Sequence, residues 1–197
     1  MQVQSIWLLQ PCLILERESG DDVPSDKRDV GGGGKTWWQW CLMRASWWWW
    51  CSIWLVAIAL TRRGIQVDTL LCKGCSTEQE DGKHILFGCN YARAVWSWIS
   101  SWCAIQLPAF QSVHEITTFA NQWSNCKNRR HTLLSICYGA IWWIWRSRNE
   151  RIFNSQYTNP AKLVDTIQAQ VFSWIKHRRK VFNFKWVDWS TRPLNCN

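Results

Sequence analysis

Residues 71–89, LCKGCSTEQEDGKHILFGC, place three cysteines and a histidine in a segment with too few apolar side chains to bury a core of its own. Cys72, Cys75, His84 and Cys89 follow the spacing C-x2-C-x8-H-x4-C. A C-x2-C pair lets two thiolates of one tight turn face a common point, and Gly74 between them is expected to relieve backbone strain. His84 and Cys89 then complete a tetrahedron from the other side, with ILFG as the connecting turn. Three thiolates and one imidazole saturate Zn2+, so the site is closed, holds no reactive water and serves a structural role. The spacer STEQEDGK is polar and turn-forming. In such a segment a metal replaces missing hydrophobic burial, and its binding becomes folding energy. The competing reading is a pair of buried cysteines with an exposed His84 in a loop.

The other cysteines bear on compartment. Ten cysteines in a short secreted chain would suggest a disulfide framework. The opening MQVQSIWLLQPCLILERESGDD has neither a basic n-region nor a small-residue cleavage site. An intracellular chain with reduced thiols is therefore expected, in nucleus or cytoplasm, and KHRRK at residues 176–180 serves equally as a nuclear signal or a charged helix end. Cys12, Cys41, Cys51, Cys103, Cys126, Cys137 and Cys196 are then small buried or incidental residues. Cys126, His131 and Cys137 lack a C-x2-C pair and a fourth ligand, so they are assigned a structural role, and His114 and His177 stand alone.

The 197 residues include 19 tryptophans, densest in TWWQWCLMRASWWWWCSIW. Four consecutive aromatics, Trp47 to Trp50, cannot all face one core on a helical or a strand period. Residues 1–58 therefore read as a poorly ordered segment or one from a faulty gene model, with residues 16–35 a polar, Gly-rich linker. DVGGGGKT in that linker ends like a phosphate-binding loop, yet Asp29 stands where the pattern needs glycine. Residues 46–60 carry no charge, but a membrane span needs about 20 mainly apolar residues. Length argues against a membrane segment there.

Beyond the cysteine cluster the text is helical. Ala92, Val95, Trp96, Ile99 and Cys103 share one helical face, and Pro108 closes that region. A second helix is predicted from Arg130 to about Phe153, and a third from Pro160 to about Arg179, with proline in its first turn and cations in its last. The tail FNFKWVDWSTRPLNCN shows no period and is expected to pack through Trp186 and Trp189. The expected fold is mainly α, a small zinc-stabilised knuckle flanked by amphipathic helices. A zinc-binding domain spans residues 59–105, a helical region residues 106–197, and the N-terminal quarter is irregular or disordered.

The chain carries a net charge of +9. From Tyr91 onward 14 Lys and Arg oppose 4 acidic residues. Such a balance attracts phosphate backbones or anionic surfaces, although solvated helix faces account for it as well. No paired-aspartate polymerase motif, nucleophile elbow or H-E-x-x-H helix is present. The few acids of the C-terminal half lie far apart, so a two-metal nuclease site is hard to assemble. A non-catalytic chain without a small-molecule substrate is the expectation.

The segment LTRRGIQVDTLLCKGCSTEQEDGKHILFGCNYARAVWSWISSW resembles the reverse-transcriptase zinc-binding domain near the C-terminus of plant LINE-type (non-LTR) retrotransposon polyproteins. The elements that carry the resemblance are RRGI, the C-x2-C pair, the H-[apolar]3-x-C block and the following A-x-x-V-W helix. Downstream, WWIWRSRNERIFN and WIKHRRKVFNFKWVDW are similar to the region after that domain, so residues 59–192 are covered. The resemblance implies zinc on Cys72, Cys75, His84 and Cys89, and a role in handling template RNA or target DNA. The helix leading to an LPT turn is reduced here to Leu60-Thr61. The polymerase, endonuclease and RNase H portions are absent, so the family's enzymatic activity does not carry over.

Two functions follow. The first is a zinc-stabilised nucleic-acid module in which Arg62, Arg63, Lys73 and Lys83 contact phosphates of RNA or DNA, while an aromatic such as Tyr91 stacks on an unpaired base. The second is a structural or protein-interaction remnant in which zinc only holds the knuckle against the helices. A membrane anchor ranks third, since it depends wholly on residues 46–60.

Overall fold

A computed structural model describes residues 56–178 and 185–195. The expectations for residues 1–55, including the linker and most of the 46–60 stretch, lie outside these. Among the described residues the chain is mainly helical, as the periodicity predicts. A five-residue helix α1 (Ala57–Thr61) precedes the knuckle, and a short π-helical turn, His84–Gly88, closes it. Then follow α2 (Asn90–Cys103), α3 (Val113–Trp123), α4 (Lys127–Asn154), α5 (Pro160–Arg178) and α6 (Trp186–Thr191). No strand forms among the described residues, and a single antiparallel bridge pairs Leu71 with Gln79.

The face predicted for α2 is the buried one: Ala92, Val95, Ile99 and Cys103 point inward, joined by Trp102. The helix stops at Ala104, whose φ of 52° breaks the helical path while its N–H bonds back to the carbonyls of Ser100 and Ser101. Trp96, half-buried, donates its indole N–H to the carbonyl of Leu86 at 2.8 Å and so ties α2 to the π-helical turn.

Helix α4 has 28 residues and is about 42 Å long at 1.5 Å per residue. It begins three residues before the predicted start. Leu133, Ile136, Ala140, Ile141 and Ile144 recur at helical spacing on its buried side. They meet Leu163, Val164, Ile167, Val171 and Ile175 of α5 in one core shared with α2. Gly139 sits at a close approach of the two long helices, since a Cβ there would stand 2.6 Å from Val171 Cγ2. Pro160 opens α5, and the Asn159 carboxamide accepts from the Ala161 N–H at 2.9 Å.

Two helices go beyond the sequence reading. α3 follows Pro108 and starts on Ser112, whose hydroxyl accepts from the Glu115 N–H at 3.3 Å, while Glu115 Oε2 accepts from the Gln111 N–H at 2.8 Å. α6 forms in the tail without an amphipathic period. It is held by Trp189, which is fully buried, donates to the Gln168 carbonyl at 2.9 Å and packs edge-on against Trp102. Trp186 is largely exposed, though its ring meets Phe172. No helix of the described residues is long and apolar enough to cross a membrane.

Candidate metal centre

The knuckle is a hairpin stapled by backbone bonds. The Cys72 N–H donates to the Glu78 carbonyl and the Glu80 N–H to the Leu70 carbonyl, both at 2.8 Å. These bonds bring Cys72 and Cys75 alongside the returning strand of chain. The His84–Gly88 turn then carries His84 and Cys89 to the same point: the Asp81 carboxylate accepts from the His84 N–H at 2.6 Å and starts the turn, and the Cys89 N–H bonds to the His84 carbonyl to end it. Ile85, Leu86 and Phe87 turn into the core, which fixes the ligand-bearing ends of ILFG.

The ligand atoms of Cys72, Cys75, His84 and Cys89 lie within 4.8 Å of one another, so the four could hold a metal ion. Cys72 Sγ and Cys89 Sγ are 3.9 Å apart, and His84 Nε2 is 3.3 Å from Cys75 Sγ. Cys72, His84 and Cys89 are buried and Cys75 is half-buried. His84 is therefore not the exposed loop residue of the competing reading.

Gly74 has a different role from the one expected. Positive φ falls on Ser76, at 58°, and not on Gly74. Gly74 is needed for space, because a Cβ would stand 3.1 Å from Cys89 Sγ and 3.3 Å from Cys72 Sγ. Its own N–H also points at Cys72 Sγ, 3.3 Å away.

The four side chains also perturb one another's protonation. Cys72 donates to Cys89, which, with burial, raises the Cys72 thiol far above its usual range. The same bond lowers Cys89 against the opposing effect of burial. Burial pushes Cys75 up, but the Thr77 hydroxyl at 3.2 Å, backbone N–H groups and His84 outweigh it, and the net shift is downward. Burial alone would lower His84, yet the neighbouring cysteines raise it. The shifts at Cys75 and Cys89 are thus in the direction that favours thiolate, the form that binds metal.

A surrounding shell positions the ligands. His84 Nδ1 has no well-directed hydrogen-bond partner among the described residues, but Glu78 Oε2 stands 3.0 Å away, at ion-pair distance. A carboxylate on that nitrogen leaves Nε2 to face the thiolates. Two arginines of α4 grip the hairpin from behind. Arg148 pairs with the buried Glu80 carboxylate, which also accepts from the Ala57 N–H at 3.1 Å. Arg151 donates to the carbonyls of Lys73 and Gly74 at 3.2 and 3.0 Å.

Glu78, Glu80, Asp81, Arg148 and Arg151 were not singled out by sequence. Only Asp81, three residues before His84 at the start of a helical turn, carries a local signal. Arg62, Arg63, Lys73 and Lys83 are exposed. Tyr91 is half-buried and its hydroxyl is engaged, so it does not offer the exposed ring expected of it. Cys126 is exposed just before α4. Cys137 is fully buried within that helix, where burial pushes its thiol up to about 12. Comparison with protein-family models, curated proteins and solved structures finds no match for this chain.

Proposed function

We propose that Cys72, Cys75, His84 and Cys89 bind Zn2+ as a closed structural site in a non-catalytic module that binds RNA or DNA. The observation that carries the metal reading is the convergence of four donors, three of them buried, at one point of the hairpin. A tetrahedral zinc sphere has donor–donor edges of about 3.8 Å between sulfurs and about 3.5 Å between sulfur and nitrogen. The Cys72–Cys89 and Cys75–His84 separations of 3.9 and 3.3 Å are close to these. The three-thiolate, one-imidazole set favours zinc over the harder divalent cations.

Descent from the reverse transcriptase of a plant LINE-type retrotransposon rests on the motif resemblance alone. The nucleic-acid reading is supported by the exposure of Arg62, Arg63, Lys73 and Lys83 around the knuckle and by the net charge of +9. Metal analysis of the purified chain should give one zinc, lost in a Cys72→Ser, Cys75→Ser variant. Less than one zinc in the parent, or full retention in the variant, rejects the site. For the zinc-loaded chain, affinity for RNA or DNA should fall with salt, and Arg62→Ala with Arg63→Ala should flatten that dependence.

A second reading has its own support. The Glu80–Arg148 pair and the Arg151 contacts fasten the knuckle to the helices, which suits a structural or protein-interaction remnant without nucleic-acid binding. Zinc retained with no binding to RNA or DNA at low salt would select it.

A further inference from the structure

Tyr91 and Tyr157 meet edge to face, with ring centroids 6.2 Å apart, and the Arg151 guanidinium packs against both, 5.3 Å from the Tyr91 centroid and 4.4 Å from that of Tyr157. Hydrogen bonds hold Arg151 and Tyr91 of this cluster in place. Arg151 is pinned to the C-x2-C turn through the Lys73 and Gly74 carbonyls. The Tyr91 hydroxyl donates to the Thr158 carbonyl at 2.9 Å and accepts from Ser147 at 2.8 Å, which fixes the inner ring. The outer ring, Tyr157, is 63% exposed, although one of its faces rests on a cation. Lys73, also exposed, leaves the same turn that pins Arg151. The adjacent acid, Glu150, is directed to Arg146 at 3.5 Å.

An exposed aromatic ring backed by a cation, with a second exposed cation on the adjoining turn, suits a flat π-system attached to an anionic backbone. We propose that Tyr157, backed by Arg151 and Tyr91, is a stacking platform for an unpaired base of a single-stranded nucleic acid, with Lys73 beside its phosphate. This deepens, and rests on, the nucleic-acid reading above. A base in a duplex already has stacked neighbours, so the platform selects single strands. Because the knuckle carbonyls hold Arg151, the platform also depends on the metal that orders the knuckle.

The test is fluorescence anisotropy of the zinc-loaded full chain with a labelled mixed-sequence single strand and with its duplex, in RNA and DNA forms. Tyr157→Ala should weaken single-strand binding by about tenfold, the scale of one stacked base. Tyr157→Phe keeps the ring and should remain close to the parent. Duplex affinity should not change, nor should the slope of log affinity against log salt, since no charge is removed. The platform is overturned if Tyr157→Ala binds single strands as well as the parent, if Tyr157→Phe loses as much, or if duplex binding falls equally. A parent chain that binds neither strand nor duplex at low salt overturns the underlying reading as well, a result distinct from loss of the platform alone.

Discussion

In the bundle, the side chains that α2, α4 and α5 bury are mostly isoleucine, valine, leucine and alanine, joined by Trp102, Cys103, Cys137 and a few polar groups of α4 such as Thr132, and the apolar ones form one shared cluster. In the knuckle, the residues buried before the π-helical turn are Cys72 and Glu80. Cys72 needs a metal or a shared proton, and Glu80 needs Arg148. Apolar burial is unconditional, at about 25 cal/mol per Å2 removed from water. Polar burial stabilises only when every partner is present. One chain thus contains a region held mainly by apolar packing and a region whose buried groups each need a specific partner.

The most severe way to break this comparison is to remove the metal. Apparent binding energies of structural zinc sites are about 10–16 kcal/mol, enough to decide whether a hairpin of this size is folded. Chelation should abolish hydrogen-exchange protection over residues 70–89 while most helical circular dichroism survives. Loss of the whole helical signal on chelation would show that the two regions do not differ in this way.

The next largest effect is expected at their junction. Arg148→Ala leaves Glu80 buried without its cation and should cost about 3–5 kcal/mol, read by urea unfolding of the zinc-loaded chain. A loss below 1 kcal/mol would mean that the pair is not an energetic link between knuckle and bundle.

Within the bundle, Gly139→Ala opposes two terms. Helix propensity favours alanine by about 1 kcal/mol. The new methyl meets Val171 Cγ2 at 2.6 Å, and overpacking of that kind costs about 1–3 kcal/mol. A net loss of about 1 kcal/mol with unchanged zinc content is expected, and a gain in stability would place the helices farther apart than described. An effect of similar size, on metal affinity and not on folding, should come from Glu78→Gln, which keeps the shape but weakens the carboxylate support of His84. It should lower metal affinity by about tenfold, measured by competition with a chromophoric chelator, and leave metal-free stability unchanged.

The same contrast explains what was legible in the sequence. α2, α4 and α5 were readable because apolar burial leaves a period in the text. α3 left a different mark, the Ser112/Glu115 pair at capping-box spacing, which a search for apolar stripes passes over. α6 left none: it is six residues long and owes its order to one fully buried tryptophan. At the candidate metal centre the four Cys and His donors were legible because donors of one small loop must be close in sequence. Glu80 and Arg148 are 68 residues apart, and no local pattern says which of many cations will face a given carboxylate. Gly74 was correctly noticed but for the wrong cause, since crowding by sulfur is a tertiary constraint that its neighbours in sequence do not announce.

The long-range links that join the hairpin and α2 to the C-terminal helices also have a kinetic meaning. Arg148 to Glu80, Arg151 to Gly74 and Tyr91 to Thr158 close loops of 68, 77 and 67 residues. Closing one such loop costs roughly 4 kcal/mol of chain entropy beyond a constant. Once the first contact forms, the others act within a chain that is already closed, and their further cost is small. The knuckle should therefore dock late and in one step, after α4 has taken shape, so that refolding of the hairpin reports on assembly of the whole chain.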